Sequence, residues 1–199
     1  MSTMYPNEPE PTDPPDQHWQ SANVDLPEPP HPINWNLLSA DDLEAEWLAL
    51  NQWINWLRHT YGLPASVVPP LWHRHPELVW ELSALHLHWL AAYDPEQHAS
   101  APLGWHRDFA DTRQRLRDWV ATSGTRLDRD RPTRQTAWPG EEIGRAIEDM
   151  TITDRDEDFV RFLLDEVEAR RRAEEAFYSS LANPRARPTL AEPASRQDP

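Results

Sequence analysis

The chain has 199 residues, a formal net charge of −15 and no cysteine, which excludes disulfides, thiolate metal sites and cysteine nucleophiles and fits a reducing compartment. So acidic a chain is ill suited to nonspecific attraction to nucleic acid or anionic membrane, since both need positive charge. No stretch approaches the ~20 consecutive apolar residues of a bilayer span, and the amino terminus lacks the basic and apolar runs of a targeting segment, so a cytoplasmic protein is expected. Residues 1–32 hold nine of the 21 prolines and six acidic residues, too few apolar groups to offset the entropy of ordering a backbone. Residues 1–35 are therefore expected to form a disordered acidic tail, with Trp19 and Trp35 as candidate anchors for a linear motif. Ser39 and Asp42 form a capping pattern, Gly62 and Pro64 a stop, and between them Leu43, Trp47, Leu50, Ile54, Leu57 and Tyr61 recur at helical spacing, with Trp53 and Trp56 widening the face. Pro76 sits where a first helical residue belongs, with His75 as the expected cap and Leu78, Leu82, Leu85, Trp89 and Tyr93 on the inner side of a second helix ending near Tyr93. A third helix is expected from Gly104 or Trp105 to Gly124, with Trp105, Phe109, Leu116, Trp119 and Val120 inward.

Beyond Gly124 the pattern weakens. Residues 125–152 read as an extended segment followed by a short helix from Trp138 to about Met150. The acidic cluster at Asp154 begins a long polar helix over 153–182, where Glu157 with Arg161, Glu166 with Arg170 and Glu168 with Arg172 are favourably spaced pairs. Its apolar residues Phe159, Leu163 and Val167 predict docking by the first half only. Residues 183–199, with four scattered prolines, read as a second disordered tail. The expected fold is thus mainly α: a small Trp-rich bundle of about three core helices over 36–124, a short helix, a long polar carboxy-terminal helix and disordered ends.

Few residues point to chemistry. His86 and His88, two apart on a helix, face nearly opposite ways, and nothing is spaced to complete a site for His73 and His75. Adjacent carboxylates such as Asp41 with Asp42 stand at helix starts, where they serve the dipole. No phosphate loop, nucleophile elbow or dinucleotide fingerprint is present, so no catalytic residue, metal or cofactor is assigned. Eleven tryptophans remain. Trp47, Trp89 and Trp119 lie on helical stripes and read as core, whereas Trp72 and Trp105, each at the threshold of a helix beside Arg or His, read equally as core or as binding platforms. A basic island of Arg113, Arg115, Arg117, Arg126, Arg129, Arg131 and Arg134 has a local balance of +4 against Asp118, Asp128 and Asp130. It reads as solvated or self-paired, with phosphate or an acidic partner as the alternative.

The run Leu71-Trp72-His73-Arg74-His75-Pro76-Glu77, then Leu82, Leu85 and Trp89, then Trp105-His106-Arg107-Asp108 with Asp111, resembles an uncharacterised domain common in actinobacteria and their phages and mobile elements. The resemblance spans roughly residues 47–119. In that pattern a second Trp stands where this chain has His106. The family has no established reaction or cofactor, so the resemblance implies an accessory role on a phage, plasmid or integrative element. Trp72, Trp105, His106, Arg107, Asp108 and Asp111 are candidate binding residues, with an ion-paired cap fixing loop to helix as the other reading of Arg107, Asp108 and Asp111. The expected function is a noncatalytic interaction protein with an unidentified protein partner and no membrane partner. The alternative is a nucleic-acid accessory factor using Arg126, Arg129, Arg131 and Arg134 with Trp105 or Trp138 stacking on bases. Weaker again is a metal-dependent enzyme built on the histidines with Asp108 or Asp111.

Overall fold

The computed structural model describes residues 30–133, 136–141 and 148–182, and within them the chain is mainly helical. Helix α1 spans Ala40–Tyr61. Ser39 Oγ accepts from the Asp42 backbone N–H at 3.2 Å and donates to Asp42 Oδ2 at 2.6 Å, so the predicted cap forms reciprocally. Gly62 closes the helix at φ 58°, a left-handed conformation that costs a residue with Cβ ~1–2 kcal/mol. The loop that follows is well packed, with Leu63, Val67, Val68 and Leu71 buried, and a single 3₁₀ turn at Trp72–Arg74 leads into helix α2, Pro76–Ala92. Pro76 is the first residue of α2 as predicted, but the His75 side chain makes no cap and is used elsewhere.

Helix α3 spans Ala101–Ser123, starting earlier than the expected Gly104. Pro102 costs nothing in a first turn, whose N–H groups have no intrahelical acceptor, so the loop after Asp94 is shorter than its proline suggests. Gly124, at φ 79°, ends α3. A minimal antiparallel pair follows, β1 at Arg129–Asp130 and β2 at Met150–Thr151, with Arg129 opposite Thr151. The short helix expected before Met150 falls largely on residues 142–147, outside the described residues, and Met150 itself lies in a strand. Helix α4, Arg155–Ala182, is opened by Asp154 Oδ1, which accepts the N–H groups of Asp156 and Glu157 at 2.9 and 3.0 Å.

Helix α4 runs antiparallel to α1, since Arg155 donates to Asn51 at one end while Glu174 Oε1 accepts the Ala40 N–H at 2.9 Å at the other. Its first half buries Phe159, Leu163 and Val167 in the same cluster as Leu50, Ile54, Leu82 and Leu116. The core is therefore shared by four helices, and α4 is a member of the bundle where three core helices were expected. Trp35 also belongs to it, 4.7 Å from Trp47 between ring centroids. The ordered fold accordingly crosses the boundaries expected at 35/36 and 152/153, and a Trp35 buried in the core is not available as an external anchor. Trp19 and the tails at 1–29 and 183–199 lie outside the described residues. No described helix is long and apolar enough to cross a membrane.

Candidate functional site

The first two candidate platforms are enclosed. Trp72 is 1% and Trp105 0% exposed, so neither ring stacks on a ligand at the surface, and the expectation of a binding role for them is corrected to a core role. Trp105 lies parallel to Phe109 at 4.9 Å, and its Nε1–H donates to the Leu85 carbonyl at 3.2 Å, tying α3 to α2. An indole at a helix threshold is long enough to reach the facing backbone, and that reach makes it structural here. Of the neighbours, Asp108 accepts from or pairs with His88 at 3.1 Å and lies 3.4 Å from Arg107 on the exposed face of α3. His106 Nε2 is 3.4 Å from the Tyr93 hydroxyl, and Asp111 is exposed.

The His-Arg-His run forms a buried hub through partners that no spacing rule reveals. His73 Nε2 lies 2.9 Å from Asp158 Oδ1, and Arg74 grips both oxygens of the same carboxylate at 2.7 and 2.9 Å while Arg161 donates to Oδ2 at 3.0 Å. Burial pushes the Asp158 carboxyl up, but the bonds from Arg74, His73 and Arg161 outweigh it and hold the group below the usual carboxylate range. The mirror case is His73, whose pKa burial lowers to about 4 despite Asp158, so the ring is neutral. On the other side, His75 Nε2 lies 2.8 Å from Asp130 Oδ1, which also accepts from Thr125 at 2.7 Å, and Thr133 links His75 Nδ1 to Glu77. His75 and Asp130 are both 0% exposed. The two histidines serve two different carboxylates, and among the described residues no three His, Asp or Glu side chains converge as a metal needs. What the hub does is weld β1 and α4 to the start of α2.

The basic island is partly self-paired. Arg131 grips Asp149 through Nε and Nη2 at 2.6 and 3.1 Å, and Arg129 approaches the same carboxylate at 3.4 Å, holding it below its ordinary pKa. Arg115 binds Glu81 at 3.0 Å, and Arg113 lies 5.7 Å from the centre of the Phe109 ring. Arg126 is exposed, its backbone N–H closing a turn onto the Arg129 carbonyl at 2.8 Å. Arg134 lies outside the described residues. Trp138 is exposed in the turn that Glu141 caps.

Where the chain does present an unusual surface is along the α1–α2 edge. Trp56 and Trp89 sit 5.1 Å apart, Trp89 continues to Tyr93 at 5.5 Å, and His86 stacks on Trp53 at 4.8 Å beneath them. Burial lowers the His86 pKa to about 4, so it acts as one more neutral ring. Burial and the nearby Tyr93 push the Tyr61 phenol up, leaving it a protonated neighbour 6.2 Å from Trp56. Trp56 is 40% and Tyr93 45% exposed, with Leu90 beside them also exposed. Trp56 and Tyr93 had the spacing of the inner stripes. Trp56, and Trp119 on α3, also expected inside, each adjoin a buried residue, Leu57 and Val120, and lie at the edge of the covered band, while Tyr93 stands just past the last residue of α2.

The described residues thus form a four-helix core that carries a His-Arg-His hub and an exposed aromatic strip. Comparison with protein-family models, curated proteins and solved structures finds no match.

Proposed function

We propose that the protein is a noncatalytic interaction module that docks a partner protein on the strip of Trp56, Trp89, Leu90 and Tyr93. The observation that carries the reading is the strip itself: Trp56 and Tyr93 substantially exposed on either side of a half-buried Trp89 that both rings contact. Trp and Tyr in this state supply large contact area at low entropic cost, as binding hot spots do. The acidic residues Asp94 and Glu96 that follow Tyr93, and a net charge of −15, suit a partner with an apolar patch rimmed by basic side chains. The polar clusters with mechanistic promise, His75 with Asp130 and His73 with Asp158, are enclosed and consumed in holding the fold. The resemblance over residues 47–119 agrees with this reading, as an accessory protein of a mobile element.

The test is a tagged pull-down from the native host, at low and high salt and with and without nuclease, comparing the natural chain with a Trp56→Ser, Tyr93→Ser variant. A stoichiometric protein that survives both treatments and is lost with the variant supports the proposal. Recovery of nucleic acid that vanishes at high salt and on neutralising Arg126, Arg129, Arg131 and Arg134 replaces it with the nucleic-acid reading.

A further inference from the structure

The chain enters α1 along a line that leads back to the aromatic strip. Residues 35–37 form a turn before the helix begins at Ala40, and ahead of that turn His31, Pro32 and Ile33 face Asp42, Ala45 and Glu46 across a shallow depression of about 290 Å3. Burial raises the Glu46 carboxyl and the charge of His31 draws it back, as its place beside the second turn of α1 requires. Traced backward from Ser39, the chain thus doubles over and climbs α1 toward Tyr61. Asp42, Ala45, Ala49, Trp53 and Trp56 succeed one another at three- and four-residue steps, so one line on the helix joins the depression to the strip. Ala45 and Ala49 are exposed and carry only a methyl group, which leaves a low track where another backbone can lie close.

The residues upstream have the length and pattern to fill that track. From Glu46 to Trp56 the helix rises ~15 Å, and an extended proline-rich chain advances ~3.1 Å per residue, so about five residues beyond His31 reach Trp56. These belong to the run Val24-Asp25-Leu26-Pro27-Glu28-Pro29-Pro30. The three-residue repeat of such a chain groups Val24, Pro27 and Pro30 on one edge, Leu26, Pro29 and Pro32 on the second, and Asp25, Glu28 and the exposed His31 on the third. Two apolar edges and one polar edge suit a segment that lies on an apolar surface with one side in water. Proline has no N–H to desolvate and a fixed φ, so proline-rich segments order on aromatic side chains with little loss of freedom.

We propose that residues 24–30 of this chain lie in cis along Ala45 and Ala49 onto Trp56, Trp89 and Leu90, forming a strap that a partner protein must displace. The inference rests on the docking role of the strip proposed above and adds its regulation. A tethered strap escapes the translational and rotational loss that a separate partner bears, so a surface too small to hold a partner alone is large enough for a strap.

The chain holds no cysteine, so Asn23→Cys in the full chain accepts a single nitroxide label at the end of the strap. In the ¹⁵N-labelled protein the indole signals of Trp56 and Trp89, assigned with Trp56→Phe and Trp89→Phe, are expected to lose most of their intensity, while those of Trp119 and Trp138, exposed elsewhere, keep it. Replacing three prolines together, Pro27→Ser, Pro29→Ser and Pro30→Ser, restores the two signals, with the buried Trp105 signal unmoved as the check on folding. Equal weakening of all four signals, no recovery in the serine variant, or weakening that passes between chains in a mixture of nitroxide-bearing and ¹⁵N-labelled protein, which marks the strap of a second copy, overturns the proposal. The pull-down separates the strap from the docking role. The serine variant is expected to capture about threefold more of a partner that needs Trp56 and Tyr93, because an occupied site lowers apparent affinity by its free fraction. Equal capture by both chains keeps docking and removes the strap, whereas nitroxide contact with no partner captured removes docking and leaves the strap as a cover for the strip.

Discussion

Acidification probes the hub directly, because His73 must stay neutral to remain where it is. Its side chain is fully enclosed, with Asp158 favouring the charged form and burial, Arg155 and Arg74 opposing it, and burial prevails to lower the pKa from 6.5 to about 4. The unfolded chain takes up a proton at this residue below pH 6.5, while the folded chain resists until about pH 4. Stability from this group is therefore complete above pH 6.5, declines as the pH falls toward 4, and then levels off. Integrated from about pH 7 to about pH 4.5, the linkage amounts to about 2.5 kcal/mol. Urea unfolding of the full chain, followed by tryptophan fluorescence across this range, measures it against His73→Gln, whose side-chain amide still donates to Asp158 but does not titrate. His86, which burial also lowers to about 4, is common to both proteins and cancels in the difference. The stability advantage of the natural chain over the variant should shrink by about 2.5 kcal/mol on acidification. A difference that stays constant with pH refutes the account of a buried neutral His73.

Trp105→Phe keeps a ring beside Phe109 but loses the bond to the Leu85 carbonyl and is expected to cost ~1–2 kcal/mol by urea unfolding, against ~3–5 kcal/mol for Trp105→Ala; equal losses would show that the indole bond and ring volume have no separate roles. Arg170→Met removes three bonds to the carbonyls of Trp35, Asn36 and Leu38, and hydrogen exchange should accelerate over residues 33–40 while residues 78–85 keep their protection. Asp158→Asn removes the only charge shared by His73, Arg74 and Arg161; since Arg74 is partly solvated, the loss should sit at the lower end of the ~3–5 kcal/mol seen for broken buried pairs. In that variant exchange should rise first in residues 155–170, and uniform loss across all helices would contradict a local weld.

The helices were legible because their signals are local. Ser39, Gly62, Pro76, Gly124 and Asp154 each act within one turn of chain, and each stands at or beside an observed helix end. The apolar stripe of α1 was equally readable, but a stripe tells which side is greasy and not how wide a band the partner covers. Trp56 and Trp119, expected inside, adjoin the buried Leu57 and Val120 and are exposed at the edge of that band, and Tyr93 stands just past the end of α2. The hub was illegible for a different reason. Asp158 lies 85 positions from His73 and Asp130 lies 55 from His75, so their pairing is set by the packing of α4 and β1, and a single sequence carries no signal for that. Arg170 shows the same effect at smaller scale. Its i−4 spacing from Glu166 suggested a surface ion pair, while in the fold it spans 132 to 135 positions to hold the turn before α1.

The tryptophans show how a buried and an exposed indole differ energetically. Burying an indole removes ~200 Å2 from water, worth ~5 kcal/mol, and an unpartnered N–H returns only ~1–3 kcal/mol of that. A lone buried indole such as Trp53, whose Nε1 also has no partner among the described residues, is thus stable without any ligand. An unpaired indole alone therefore implies nothing about a ligand. The strip runs the other way. The exposed two-fifths of Trp56 forfeits about 2 kcal/mol of burial, and Tyr93 and Leu90 forfeit similar amounts. Their sum, ~6 kcal/mol, lies near the bottom of the ~4–15 kcal/mol lost in translational and rotational freedom on association. The strip can therefore orient a partner but not hold one by itself, and a stable complex must extend onto the surface beyond it, toward the ~800 Å2 per side of a standard interface. The adjoining loop with Asp94 and Glu96 continues from Tyr93 in the direction such an interface has to grow.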